Sequence, residues 1–203
     1  MKTPGPPGRA RSGFDRRMTR EEINARPIKK WTGPIHLIRT REEVQEAARR
    51  LGRERLLGFD TETRPAFRKG QRYLPSLLQL AGEQEVWIFQ LRAIGLPQPV
   101  RAILSDPAII KAGVSIDFDI RELQRIASFR QAGFVDIGRM ARKAGIRNHG
   151  LRGLAAVLLD LRITKTAQTS NWAREQLTPA QLTYAATDAW VSREIHLALA
   201  QMT

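Results

Sequence analysis

The chain has 203 residues, 42% of them hydrophobic and 27% charged, which suits one globular domain with a substantial core. Lysine and arginine total 34 against 20 acidic residues, a net charge of +14 that attracts polyanions, nucleic acid first among them. Cysteine is absent, which excludes disulfides, thiolate zinc sites and cysteine nucleophiles.

The segment beginning Met1-Lys2-Thr3-Pro4 lacks the apolar stretch of a secretory signal. No apolar run approaches the roughly 18 residues of a membrane span, so a soluble cytoplasmic protein without membrane contact is expected. Residues 1–30 carry 9 basic and 3 acidic side chains with little apolar periodicity. That composition predicts a flexible basic arm ahead of a domain over residues 31–203. The arm is either a nucleic-acid contact or a solvated tail.

Ile35-His36-Leu37-Ile38 reads as a short strand. Thr40-Arg41-Glu42-Glu43 has the form of a capping box, and Val44, Ala47, Ala48 and Leu51 follow at helical spacing. A strand begins at Leu56 and runs into Asp60-Thr61-Glu62, followed by a polar, basic loop. Leu77–Ala81 and Val86–Phe89 are predicted antiparallel neighbours across the turn Gly82-Glu83-Gln84-Glu85. A helix from Pro99 must stop before Asp106-Pro107. Ile109–Val114 is a further strand, and a helix with Ile120, Leu123 and Ile126 on one face follows. Phe134–Ile137 is the last predicted strand, and from Gly138 the chain reads as almost entirely helical. Strands, then alternating units, then helices imply an α/β fold with a mixed sheet covered by helices on both faces.

Asp60 and Glu62 occupy alternate positions of a strand and therefore project from one face. Alone, the pair reads as a solvated strand-to-loop junction. A divalent cation would favour both ionised forms and turn the pair into ligands. In Gly113-Val114-Ser115-Ile116-Asp117-Phe118-Asp119, Asp117 suits a helix N-cap and Asp119 is left over for chemistry. Thr178 and Gln181 form a second capping box with Pro179 at the first helical position, which sets Tyr184 and Asp188 four apart on one helical face. Ala185, Ala186 and Ala189 let that helix press against the sheet. Four carboxylates and a tyrosine make an inventory for Mg²⁺ or Mn²⁺ and phosphoryl transfer. His36, His149 and His196 have no convincing ligand partner.

Asp60-x-Glu62, Asp119 and Tyr184-x-x-x-Asp188 together resemble the three motifs of the DEDDy 3′–5′ exonucleases, ribonuclease D-like proteins with a ribonuclease H-like fold. Ser76-Leu77-Leu78-Gln79-Leu80, Lys111-Ala112-Gly113-Val114, Ser170-Asn171-Trp172 and Tyr184–Ala189 are most like the Werner syndrome-type exonuclease domain. The resemblance spans roughly residues 35–200 and implies a five- to six-stranded mixed sheet. It also implies two divalent ions held by Asp60, Glu62, Asp119 and Asp188, with Tyr184 orienting the attacking water. The reaction implied is hydrolysis of the terminal phosphodiester of a single-stranded DNA or RNA 3′ end, releasing a nucleoside 5′-monophosphate. Thr63, Leu78, Lys165 and Trp172 are the expected nucleic-acid contacts, although Leu78 and Trp172 suit a core first and Lys165 suits a solvated loop equally. A non-catalytic nucleic-acid-binding module on the same fold is the alternative.

Overall fold

The computed structural model describes residues 14, 16–68 and 70–202. Six strands form one sheet: β1 (Ile35–Ile38), β2 (Leu56–Glu62), β3 (Leu77–Ala81), β4 (Val86–Gln90), β5 (Ile110–Gly113) and β6 (Phe134–Asp136). Their order is β1-β4-β3-β2-β5-β6. The predicted hairpin is present, with β3 antiparallel to both β2 and β4. The parallel pairs are β1 with β4, β2 with β5 and β5 with β6. The sheet is therefore mixed, with β2 inside it and its C-terminal carboxylates at one edge of the layer.

Helix α1 spans Arg20–Asn24, α2 Arg41–Leu51, α3 Leu91–Ile94, α4 Gln98–Ser105 and α5 Asp117–Ile126. They are followed by α6 (Ile137–Lys143), α7 (Leu151–Leu159) and α8 (Pro179–Ala200). The alternation of β2 divides the core. Leu57 and Phe59 join Leu78, Leu80, Trp87 and Phe89 under α2, α4 and α5. On the opposite face, Leu56 packs with α6, α7 and the distal part of α8, while Leu77 and Ala81 meet Ala185, Ala186 and Ala189. Both predicted capping boxes hold: Thr40 accepts from the Glu43 N–H, and Thr178 from the Gln181 N–H.

Three expectations are corrected. Residues 160–178 are not helical: Asp160 takes a left-handed conformation (φ 53°) that ends α7, and the chain then runs irregularly to Thr178. Asp117 does not cap α5 with its side chain; Ile116 is the N-cap residue, and the Asp117 carboxylate pairs with Arg139. The third concerns the basic arm over residues 1–30. Residues 1–13 and 15 lie outside the described residues, but from Met18 onward, whose N–H donates to Asn148 Oδ1, the chain is docked. Thr19 and Glu22 form a reciprocal capping box that starts α1, and Ile28 bridges to Arg162 as a parallel pair. Backbone groups of this segment find partners in the domain, which is what a free arm lacks. No helix among the described residues is long and apolar enough to cross a membrane.

Candidate active site

Asp60 and Glu62 leave β2 on the face covered by α8, because they share the parity of Leu56. The capping box at Thr178 sets the register of α8 so that Tyr184 and Asp188, one turn apart, turn toward the sheet, and both are buried. The result is a trio: one carboxylate oxygen each from Asp60, Glu62 and Asp188, all within 4.8 Å of one another. Asp119 reaches the same end of the sheet from the first turn of α5 and stands outside the trio. Its Oδ1 accepts a hydrogen bond of 2.5 Å from Thr61 Oγ1, whose side chain leaves β2 on the opposite face from Asp60.

Burial raises the pKa of all four carboxylates, and neighbouring negative charge adds to it at Asp60 and Glu62. Asp60 lies well above the ordinary carboxylate range, through burial first and then the charges of Asp188 and Asp119. Glu62 is pushed up to about 10 by burial and then by Asp60. Asp188 is raised to about 7 by burial, and Asp119 is raised by burial against the opposing Thr61 hydrogen bond. The Tyr184 hydroxyl is also raised, by burial and then by the charges of Asp188 and Glu62, so it stays protonated at neutral pH.

A cation fits this arrangement. Among the described residues, Asp188 Oδ1 is buried without a hydrogen-bond partner, and so is the Gln79 amide, opposite Asp60 on β3. Three acidic oxygen donors at ligand spacing suit a hard divalent ion, whose charge would reverse the elevation of their pKa values. A cleft of about 620 Å³ reaches Tyr184 and Asp188 from outside, with Arg152 and Lys165 on its wall.

Of the expected nucleic-acid contacts, Lys165 lines this cleft and Thr63 is half-buried just past the end of β2. Leu78 and Trp172 are corrections. Both have 0% exposure: Leu78 lies in the core beside Phe89, its cross-strand partner on β4, and Trp172 packs its ring 5.8 Å from that of Tyr184. Neither can meet a base, and Trp172 instead supports the tyrosine ring. Phe118, which the sequence reading passed over, is 57% exposed one residue before Asp119. An aromatic residue on the polar side of an amphipathic helix was the available signal. His36 is spent on Glu85, and His149 on the Ile146 carbonyl.

Comparison with known proteins identifies the family and the fold. The human protein called exonuclease mut-7 homolog is 31% identical over 194 residues, covering 81% of this chain and 22% of its own length. Ribonuclease D of Gluconacetobacter diazotrophicus is 30% identical over 79% of this chain and 41% of its own. The chain thus spans well under half the length of these relatives. The crystal structure of Escherichia coli RNase D superposes with a TM-score of 0.74 at 22% identity, over 83% of this chain and 44% of that one. That likeness establishes the ribonuclease H-like fold. A family model described as 3′–5′ exonuclease matches residues 35–203, most of the chain, so the chain belongs to the 3′–5′ exonuclease family.

Proposed function

We propose that this domain is a divalent-metal-dependent 3′–5′ exonuclease that shortens single-stranded nucleic acid and releases nucleoside 5′-monophosphates. The observation that carries the reading is the trio of Asp60, Glu62 and Asp188 at ligand spacing, with a buried and unpartnered Asp188 oxygen. Asp60, Glu62 and Asp188 would hold Mg²⁺ or Mn²⁺, with Asp119 supporting the site from beside Thr61. Two such ions, when bound, supply acidity to a water molecule and charge stabilisation to the leaving oxygen.

The chain's own residues do the positioning. Tyr184 keeps its proton and is a poor base, so its hydroxyl orients the water by a hydrogen bond. The packed rings of Trp172 and Tyr184 fix where that hydroxyl sits. Water oxygen bonds to the terminal phosphorus as the bond from phosphorus to the 3′ oxygen of the preceding nucleotide breaks. The proton lost by the water is balanced by one gained at that 3′ oxygen. Phe118 offers an exposed ring beside Asp119 on which a terminal base can stack.

The test is digestion of matched 5′- and 3′-labelled DNA and RNA strands with Mg²⁺, Mn²⁺ or EDTA, alongside Asp60→Asn and Asp188→Asn. Stepwise loss from the 3′ end that needs metal and nearly vanishes in both variants is expected. Metal-independent cleavage, or variants near wild-type rate, would refute the reading. Binding without cleavage would point to a non-catalytic module.

A further inference from the structure

The cleft that reaches Tyr184 and Asp188 is built from stretches far apart in sequence. One side comes from the start of α7 and from Ile163–Lys165; the other comes from Arg17, Met18, Arg20 and Ile23 of the N-terminal segment. This segment is tied down along its length. The Met18 N–H donates to Asn148 Oδ1 at 3.0 Å, and Arg152 donates to the Asn24 side chain. Arg26 pairs with Asp160 at 3.0 Å. Lys29 N–H donates to the Arg162 carbonyl at 3.0 Å, and Arg162 N–H to that of Pro27 at 2.9 Å. The Trp31 N–H reaches Thr187 Oγ1 at 3.0 Å, one residue from Asp188. The N-terminal segment is therefore a strap across the catalytic end of α8.

A second cavity, of about 350 Å³, shares Tyr184 and Asp188 with the first as lining, and the strap lines it with Ile28, Lys29 and Lys30. Arg17, Arg20, Lys29 and Lys30 are exposed, and none has a carboxylate at ion-pair distance among the described residues. Arg16 differs, being paired with Glu22. Unspent cations lining a cleft that ends at buried carboxylates are complementary to a polyanion approaching those carboxylates. Cavities of this size fall in the range of small-ligand sites, roughly 300–1,000 Å³, which suits the terminal nucleotide of a strand.

We propose that Arg17–Lys30 is part of the nucleic-acid site, a basic strap that holds the phosphates of a single strand as its 3′ end reaches Tyr184 and Asp188. The proposal rests on the exonuclease reading for the direction of the strand, but its binding claim is tested without cleavage. Each phosphate neutralised on a single strand contributes about −0.7 to the slope of log K against log salt.

The experiment measures binding of labelled oligothymidylate and oligouridylate, about 12 nucleotides long, by fluorescence anisotropy in EDTA across a salt series. Arg17→Ala with Arg20→Ala is expected to weaken binding about tenfold at low salt and flatten the slope by about 1.4. Arg17→Lys with Arg20→Lys should restore the wild-type slope. Arg53→Ala with Arg55→Ala removes two exposed charges at the start of β2, the opposite end of that strand from Asp60 and Glu62, and should leave the slope near wild type. Thermal melting checks the fold; if the double alanine variant melts early, Arg17→Gln and Arg20→Gln singly should each flatten the slope by about 0.7. An unchanged slope, equal flattening in the control pair, or a wild-type chain that binds neither strand would overturn the strap. A wild-type chain that binds with the expected slope yet cuts nothing with Mg²⁺ or Mn²⁺ would instead overturn the exonuclease reading and leave the strap standing.

Discussion

A Cβ built on Gly58 would lie 1.8 Å from the carbonyl oxygen of Ala189, so the middle of β2 and the middle of α8 meet backbone to backbone. That contact sets the depth of the site: Asp60 lies two residues beyond Gly58 on the same face, and Asp188 immediately precedes Ala189. No alanine fits without moving α8, since the obstructing atom is main chain. Gly58→Ala is expected to cost about 2–3 kcal/mol of stability by overpacking. Displacing Asp188 from Asp60 should also cut the rate by about 10²-fold, the cost of a misplacement near 1 Å. Urea unfolding and single-strand digestion check both; wild-type values in each would mean α8 does not sit against β2 in this way.

Lys111 on β5 is fully buried, and its ammonium donates to the carbonyls of Ile103 at 3.0 Å, Asp106 at 2.7 Å and Ile109 at 2.7 Å. All three donors are used, and they tie the end of α4 to the start of β5. Lys111→Met keeps much of the side-chain volume but strands three carbonyl groups. An unsatisfied buried group costs about 1–3 kcal/mol, so a net loss of about 3 kcal/mol is expected after the cost of burying the charge is relieved. The observable is a lower urea midpoint with an unchanged m-value. A midpoint at or above wild type would mean the ammonium does not carry this junction.

Where the sequence was legible, the signal was local and periodic. The capping boxes at Thr40 and Thr178 set the register of α2 and α8, and strand alternation put Asp60 and Glu62 on one face before any tertiary contact was known. The errors lie where burial is decided by partners distant in sequence. Leu78 and Trp172 are side chains that suit either a groove or a core, and only tertiary packing decides: α2, α4 and α5 close over Leu78, and α8 packed on β3 closes over Trp172. The strap was missed for a different reason. Thr19-Arg20-Glu21-Glu22 has the same form as Thr40-Arg41-Glu42-Glu43, yet α1 buries no residue and so carries no apolar period. Several of its anchors are backbone N–H groups, at Met18, Lys29 and Trp31, which any residue but proline can supply.

Tyr184→Phe separates positioning from ion binding. The ring still packs on Trp172, and only a protonated hydroxyl is lost. A rate loss of about 10²-fold is expected, comparable to removing one oriented hydrogen-bond donor. Metal concentration dependence should be unchanged, because the hydroxyl is not among the trio of donors. If the midpoint of the Mn²⁺ titration moves more than the rate at saturating metal, the tyrosine supports the ion and not the water.

The buried carboxylates also make stability depend on pH and on metal together. Unfolded Asp and Glu titrate near 3.9 and 4.3. In the fold, Glu62 is pushed up to about 10 and Asp188 to about 7, both by burial first, with Asp60 raised in the same direction. Between the unfolded and folded values the native chain binds more protons than the unfolded chain, so stability falls as pH rises. The contribution is fully present below about pH 4 and is lost through about pH 7 for Asp188 and about pH 10 for Glu62. Without metal, the melting temperature of the wild type is therefore expected to fall from about pH 5.5 to about pH 8.5 relative to Asp60→Asn, which removes the central charge. Mn²⁺ or Mg²⁺ should restore stability to the wild type most at the higher pH and release protons on binding, while Asp60→Asn gains little from either ion. Melting scans at the two pH values, with and without metal, decide the matter. A metal-induced rise that is the same in wild type and variant, or larger at low pH, would show that these carboxylates are not the ones that hold the ion.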